Sequence, residues 1–105
     1  MRIVLTNISA GEGDALATKL VSEGLAACVN ILAVRSVYRW QGEICNDPEQ
    51  TLLIKVRADG VDALRSRIVE LHPYDLPEII ALDVDTASSL PAYVDWVREQ
   101  SSGAI

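Results

Sequence analysis

The sequence predicts an α+β domain in which short apolar strands alternate with amphipathic helices. Three observations carry this prediction: β-branched runs at strand period, apolar residues at helical spacing between them, and turn residues at the junctions. The chain has 105 residues and is 50% hydrophobic, which suffices for one domain with a core of its own. We therefore expect a single domain spanning residues 1–105.

The first strand and helix are predicted at the start of the chain. Residues 2–8 have the pattern of a short strand. Ser9 is expected to start a helix, because Glu12 follows it in capping-box register. Gly24 is placed to end that helix. The helical spacing of the apolar residues marks a buried stripe of Leu16, Ala17, Leu20 and Val21.

A long hairpin should follow. Residues 26–40 predict a second strand, and Gln41-Gly42 is typical of a tight turn into its partner. Asn46-Asp47-Pro48 is expected to interrupt the returning strand with a bulge or bend. The strand should then resume over residues 51–57, with Leu53 and Lys55 on the face away from the helices.

The second half repeats the alternation. Asp59 is predicted to cap a second helix, and residues 79–85 to form a fourth strand. Ser89 is predicted to cap a third helix with Pro91 in its first turn, and residues 101–105 to form a frayed tail. The order β-α-β-β-α-β plus a terminal helix is that of a ferredoxin-like sandwich, with two helices on one face of the sheet.

The long hairpin also predicts self-association. Its tip carries Tyr38 and Trp40, and a domain of this size offers little for such a tip to pack on. Exposed apolar faces and long strand edges usually indicate a partner. We therefore expect a homo-oligomer.

Charge and apolar runs exclude several partners. Nine basic and fifteen acidic side chains give a net charge of −6, which argues against nucleic acid or an anionic membrane. No apolar run reaches the ~20 residues that span a bilayer, and the N-terminus has no signal-peptide pattern. A cytoplasmic protein is expected. Cys28 and Cys45 do not form a paired-cysteine motif, and we predict free thiols, with Cys28 buried and inert.

One loop concentrates groups that can bind a ligand. His72, the only histidine, lies with Tyr74, Asp75 and Glu78 in a segment stiffened by two prolines. A stiff polar loop between packed elements is typical of binding sites, but a rigid helix-to-strand connector would have the same residues. No nucleophile can be assigned to the histidine, and no phosphate-binding glycine loop is present.

Several segments, in order, resemble the CutA family of divalent-cation-tolerance proteins. They are Leu25-Ala26-Ala27-Cys28-Val29-Asn30-Ile31, Arg35-Ser36-Val37-Tyr38-Arg39-Trp40-Gln41-Gly42, Leu52-Leu53-Ile54-Lys55, His72-Pro73-Tyr74-Asp75-Leu76-Pro77-Glu78-Ile79-Ile80 and Tyr93-Val94-Asp95-Trp96. The resemblance implies a ferredoxin-like fold in a PII-like homotrimer whose hairpins link subunits, with clefts between them. It implies a role in metal response, with copper(II) or another divalent cation as ligand.

The resemblance also implies site residues. Trp40, Lys55, Tyr74 and Glu78 would bind a small ligand in the cleft between subunits, and His72 would bind the metal. Leu5 and Leu71 stand where copper-binding members can carry a cysteine and a second histidine. We therefore expect copper binding to be micromolar or weaker.

Three functions remain open from sequence. The first is a non-catalytic metal-response or ligand-sensing protein. The second is an enzyme acting on a small metabolite, with His72 as acid–base and Lys55 as anion anchor. The third is a structural scaffold in which His72 only packs or hydrogen-bonds.

Overall fold

A computed structural model describes residues 1–103 of the chain. Its strands and α-helices are, in order, β1 (Arg2–Ser9), α1 (Gly13–Ser22), β2 (Cys28–Trp40), β3 (Glu43–Val56), α2 (Val61–Leu71), β4 (Ile80–Asp83) and α3 (Pro91–Gln100). Short 3-10 turns precede α2 and α3. The predicted α+β, ferredoxin-like fold with a long hairpin and an additional C-terminal helix is confirmed.

The sheet is antiparallel, with strand order β2-β3-β1-β4. One face packs against both α1 and α2, because side chains from these helices and from the central strands form a single cluster. Its fully buried members include Leu20, Leu52, Ile54, Leu64 and Ile68. These residues occupy the alternate positions and helical stripes that the sequence marks as apolar.

The other side of the sheet, here called the open face, is apolar but only partly covered. Residues paired directly across a sheet share a face, so the register identifies its members. Among them are Ile3, Leu5, Leu53, Ile80 and Leu82, together with Lys55. Ile80 and Leu82 are exposed, as expected for a surface that an isolated chain leaves unpacked.

Residues 35–48, here called the arm, extend past the end of β1. The last β1–β3 pair is Ser9 with Glu49, and beyond it β3 has only β2 as a neighbour. Val37 and Ile44 share one face of the arm and are 68% and 70% exposed, and Tyr38 and Trp40 on its other face are 41% and 42% exposed. The arm therefore presents two uncovered faces.

The predicted interruption of the third strand is wrong. Pairing runs without a break through Arg35–Pro48, Ser36–Asp47 and Val37–Asn46. Proline cannot donate a ladder hydrogen bond, but Pro48 lies where β3 has a single neighbour, which is a position that tolerates the loss. The local turn propensity of these residues is overridden by pairing along the whole hairpin.

The predicted helix starts are shifted. Ser9 is the last residue of β1, and α1 begins at Gly13 after Glu12, without a side-chain cap. The residues before α2 and α3 are Gly60 and Leu90, again without side-chain caps. Asp59 instead accepts a hydrogen bond from Arg57, and the Ser89 hydroxyl donates to the Asp85 carbonyl.

The segment after α3 is attached to the body as far as it is described. Ser101 is buried, its Oγ accepts the Arg57 N–H at 3.0 Å, and Gly103 N–H donates to the Gly24 carbonyl at 2.9 Å. The predicted fraying is therefore wrong for residues 101–103, and the remaining two residues of that prediction lie outside the described part of the chain.

Candidate functional site

His72 ends α2 and joins it to the centre of the sheet. Its backbone is extended (φ −77°, ψ 134°), because the following proline disfavours helical geometry. The side chain is only 7% exposed. Nδ1 accepts the Tyr74 N–H at 3.2 Å, and Nε2 lies 2.7 Å from the Asn7 carbonyl oxygen. Since Nδ1 is an acceptor, the proton is on Nε2, which donates to Asn7.

These two hydrogen bonds bear directly on the metal assignment. Neither ring nitrogen of His72 has a free lone pair in this arrangement, so copper would have to displace one of the bonds. Within residues 1–103 there is also no group of three His, Cys, Asp or Glu side chains arranged to hold a metal ion. The role of His72 as a metal ligand stays a prediction. Its contacts match the alternative in which His72 only packs and hydrogen-bonds within the structure.

Tyr74 connects the same loop to the base of the arm. Its ring packs edge-on against His72, with 4.7 Å between ring centroids. The hydroxyl donates to Glu49 Oε2 at 2.6 Å and lies 3.0 Å from Ser9 Oγ. Burial and the neighbouring Glu49 carboxylate raise the pKa of Tyr74 above its ordinary value. The phenol therefore stays protonated and remains a hydrogen-bond donor.

Glu49 is a candidate functional residue that the sequence analysis did not identify. It is 7% exposed and pairs with Ser9 across β1 and β3. The predicted bend at residues 46–48 left Glu49 outside the predicted strand. Only an uninterrupted β3 places Glu49 opposite β1. The alternation of side chains along a continuous strand is the signal that could have located it.

Lys55 lies on the open face, as predicted. Its ammonium contacts Asn30 Oδ1 and lies 3.8 Å from Cys28 Sγ. Cys28 is half-buried rather than fully buried as expected. Its thiol lies beside the Tyr93 hydroxyl, whose pKa is raised by burial and by Cys28. Cys45 lies ten residues along β3 from Lys55, about 30 Å away, so the two cysteines cannot form a disulfide within one chain.

The four predicted ligand residues do not converge within a single chain. Trp40 pairs with Glu43 at the tip of the arm, whereas Lys55 is twelve residues further along β3, about 40 Å away. Tyr74 lies at the base of the arm, and Glu78 is exposed in the loop before β4. A cleft that contains all four residues would need more than one copy of the chain.

The fold and these surfaces define a ferredoxin-like domain with a projecting hairpin and a partly uncovered apolar sheet face. The family model described as CutA1 divalent ion tolerance protein matches residues 1–100. The chain therefore belongs to the CutA1 divalent ion tolerance family, and the resemblance seen in the sequence is confirmed.

Individual relatives agree with this assignment. The divalent-cation tolerance protein CutA of Thermus thermophilus is 43% identical over 101 residues, covering 94% of this chain and 96% of the relative. The solved structure of the PII-like protein CutA from Nostoc sp. PCC 7120 in apo form superposes with a TM-score of 0.94 at 44% identity, covering 96% of this chain and 97% of that chain.

Relatives carry names that refer to different compartments. The chloroplastic protein CutA of Arabidopsis thaliana is 39% identical over 90 residues. The match covers 85% of this chain and 48% of that relative. The structure from Archaeoglobus fulgidus is called periplasmic and has a TM-score of 0.89 at 28% identity, covering 96% of this chain and 99% of that chain. In residues 1–103, no helix is long and apolar enough to cross a membrane. The cytoplasmic location stays a prediction.

Proposed function

We propose that the protein is a homotrimeric, non-catalytic metal-response protein that binds a divalent cation or a small ligand in clefts between subunits. The observation that carries the proposal is the arm, whose apolar side chains lie exposed within the described residues 1–103. Surfaces of this kind are typically buried by association. The projecting arm can reach a neighbouring body, and the open face offers that neighbour an apolar surface.

Association also accounts for the separation of the candidate residues. If the arm of one subunit lies across the next, Trp40 of one copy approaches the body of another, where Lys55, Tyr74 and Glu78 are located. A site assembled in this way would exist only in the oligomer. Ligand binding and assembly would then be thermodynamically linked, since a ligand that binds only the assembled form stabilises it.

Copper(II) is the first divalent cation to test, and we expect the protein to bind it weakly. Imidazole nitrogen suits copper(II), but the ring of His72 would have to give up a hydrogen bond to Asn7 or Tyr74. Asp75 and Glu78 are the acidic candidates in the same loop, and two prolines limit how closely they approach the ring. We expect a dissociation constant in the micromolar range or weaker, which is no more than about 8 kcal/mol per site.

Calorimetry with copper(II) on the native protein, the His72→Ala variant and an Asp62→Asn control tests this assignment. Asp62 is an exposed α2 carboxylate remote from the loop, so its variant should bind like the native protein. The proposal expects weak, saturable binding that is lost in His72→Ala. Nanomolar affinity would refute the predicted weakness, and identical isotherms for the native protein and His72→Ala would remove His72 from the site.

The enzymatic alternative assigns acid–base chemistry to His72 and anion binding to Lys55. An acid–base role needs a ring nitrogen accessible to substrate, whereas both nitrogens of His72 are bonded to backbone groups. The contacts therefore favour the non-catalytic function. Turnover of any compound in a metabolite panel that is abolished in His72→Ala would reverse this preference.

A further inference from the structure

A cavity of about 200 Å³ lies where β3 ends, at the opposite end of that strand from the arm. Clefts that hold drug-sized ligands have volumes of ~300–1,000 Å³, so this cavity suits a small molecule. None of the site residues predicted from the sequence lines it. The lining residues come from the start of the chain, the connection between β3 and α2, and α3: Met1, Arg57, Ala58, Asp59, Val94 and Arg98.

Arg57 is held at the wall of the cavity and retains unused donors. Its backbone N–H donates to Ser101 Oγ at 3.0 Å. Its guanidinium donates from Nε and Nη2 to the Asp59 carboxylate, and from Nη1 to the Arg98 carbonyl at the long distance of 3.5 Å. A guanidinium has five N–H donors, so two of them have no acceptor among residues 1–103. The side chain is 29% exposed, so water reaches these donors only in part.

Arg98 brings a second positive charge to the same cavity. Its Nη1 donates to Asp95 at 3.3 Å, but both side chains are more than half exposed, so this pair is weak. Among the lining residues Asp59 is the one carboxylate. The hydrogen bond from Arg57 and, to a smaller extent, the charge of Arg98 hold the pKa of Asp59 below its ordinary value. The lining therefore has two guanidinium groups against one carboxylate that is already bonded.

The remaining lining residues are apolar. Val94 is buried, and Met1 and Ala58 add further hydrocarbon surface beside the two guanidinium groups. A planar guanidinium fork matches the geometry of a carboxylate and repels a metal cation. An apolar wall next to it favours a carboxylate that carries hydrocarbon over a bare inorganic anion.

We infer that this cavity is a binding site for a small carboxylate with a short apolar chain, held by Arg57 and Arg98. The carboxylate oxygens accept charge-assisted hydrogen bonds from both guanidinium groups, and the hydrocarbon chain packs on Val94 and its apolar neighbours. The inference goes beyond the proposed function, because all the groups belong to one chain and neither assembly nor a metal ion is involved.

The test is calorimetric titration of the native protein with sodium butyrate, sodium acetate and sodium phosphate, each against sodium chloride at matched ionic strength. The variants are Arg98→Met, which removes one guanidinium, and Arg98→Lys, which keeps the charge without the planar fork. Arg65→Met is the matched control, because it makes the same change in charge on α2, where Arg65 pairs with Asp62. Circular dichroism establishes that each variant is folded.

Methyl NMR of the native protein during the butyrate titration locates the ligand without any substitution. The methyl resonances of Ala58 and Val94, which line the cavity, should shift with increasing butyrate. The methyl resonances of Val21, which lies on α1, should stay unchanged. This measurement keeps the test valid if Arg98→Met does not fold.

The inference expects saturable binding of butyrate, several-fold tighter than that of acetate, because two more methylene groups pack on the apolar wall. The affinity for butyrate should fall about tenfold in Arg98→Met, fall less in Arg98→Lys and stay native in Arg65→Met. Absence of saturable butyrate binding, equal affinity in Arg98→Met, or unchanged Ala58 and Val94 resonances overturns the inference. Tighter binding of phosphate than of butyrate also overturns it, because such a site would recognise charge without the hydrocarbon chain.

Discussion

At the scale of single residues, Thr6 places a hydroxyl group in an otherwise apolar core. It is 0% exposed on the helix-covered face of β1, and its Oγ1 has no hydrogen-bond partner among residues 1–103. A buried hydroxyl that gains no hydrogen bond on folding costs free energy, because it loses those it makes with water. Thr51, on the opposite face, donates from its own Oγ1 to Asn7 Oδ1 at 2.6 Å.

These two threonines give a matched pair of substitutions. Thr6→Val replaces the unbonded hydroxyl with a methyl group of similar size, and we expect the free energy of unfolding to rise by about 1 kcal/mol. Thr51→Val removes a hydrogen bond and leaves the Asn7 amide oxygen without that donor. The free energy of unfolding of this variant should therefore fall by about 1 kcal/mol. Urea unfolding at one fixed protein concentration measures both changes. Destabilisation of similar size in both variants would indicate that the Thr6 hydroxyl is bonded in solution.

At the scale of elements, an ion pair joins the C-terminal end of α1 to the middle of α2. Arg67 donates from Nε and Nη2 to the two carboxylate oxygens of Glu23, each at 2.8 Å. This bidentate contact from Arg67 holds the pKa of Glu23 below its ordinary value. Its contribution to stability is therefore complete above the unfolded-state pKa of about 4.3 and is lost as pH falls through the lower folded-state pKa.

We therefore expect the effect of Arg67→Met to depend on pH. The variant should be less stable than the native protein at pH 7. The difference should shrink as the pH falls below the unfolded-state pKa of about 4.3, because unfolding then brings a proton onto Glu23. Arg65→Met is the control, since Arg65 pairs with the exposed Asp62 one turn away and should matter little at either pH. Urea midpoints measured across this pH range decide the question, and a difference that does not change with pH would contradict it.

The turn of the arm offers a second prediction at this scale. Gln41 and Gly42 have φ angles of 51° and 81°, so both central residues of the turn are left-handed. Asparagine and glycine adopt this conformation most easily. A Cβ at Gly42 would meet nothing within 4 Å, so backbone strain alone opposes a larger residue at this position.

Substitutions in the turn should therefore act in opposite directions. We expect Gly42→Ala to lower the free energy of unfolding by about 1 kcal/mol, and Gln41→Asn to raise it by about 0.5 kcal/mol. Amide hydrogen exchange along the arm, together with urea unfolding, would detect both effects. Equal protection of the arm in all three proteins would show that the turn does not limit its stability.

At the scale of the whole molecule, Trp40 tests the proposed assembly. Light scattering at micromolar concentration should give the mass of a trimer, and Trp40→Ala should weaken it by about 2–4 kcal/mol per site, as loss of a buried interface aromatic does. Trp96→Ala is the control, since Trp96 is 41% exposed and Trp40 42% exposed in the single chain. A monomer for the native protein would end the assembly proposal, and equal dissociation midpoints for the native protein and Trp40→Ala would place Trp40 outside the interface.

The order and type of the elements could be predicted from the sequence because they depend on short-range chemistry. Apolar spacing specified the strands and helices, Gln41-Gly42 specified the hairpin turn, and Pro73 specified where α2 ends. The alternation along β3 also placed Lys55 on the face of the sheet that points away from the helices. Each of these features is decided by residues a few positions apart in the chain.

Other features were decided only by tertiary contacts. Ser9 belongs to β1 rather than to a helix because Glu49, forty residues away, pairs with it. The same pairing buries the Glu49 carboxylate beneath Tyr74, and His72 bonds to Asn7 across the sheet. The sequence alone could place His72 in a loop, but which atoms its two nitrogens contact depends on where distant segments pack, because hydrogen bonds are satisfied by whichever groups the fold brings within reach.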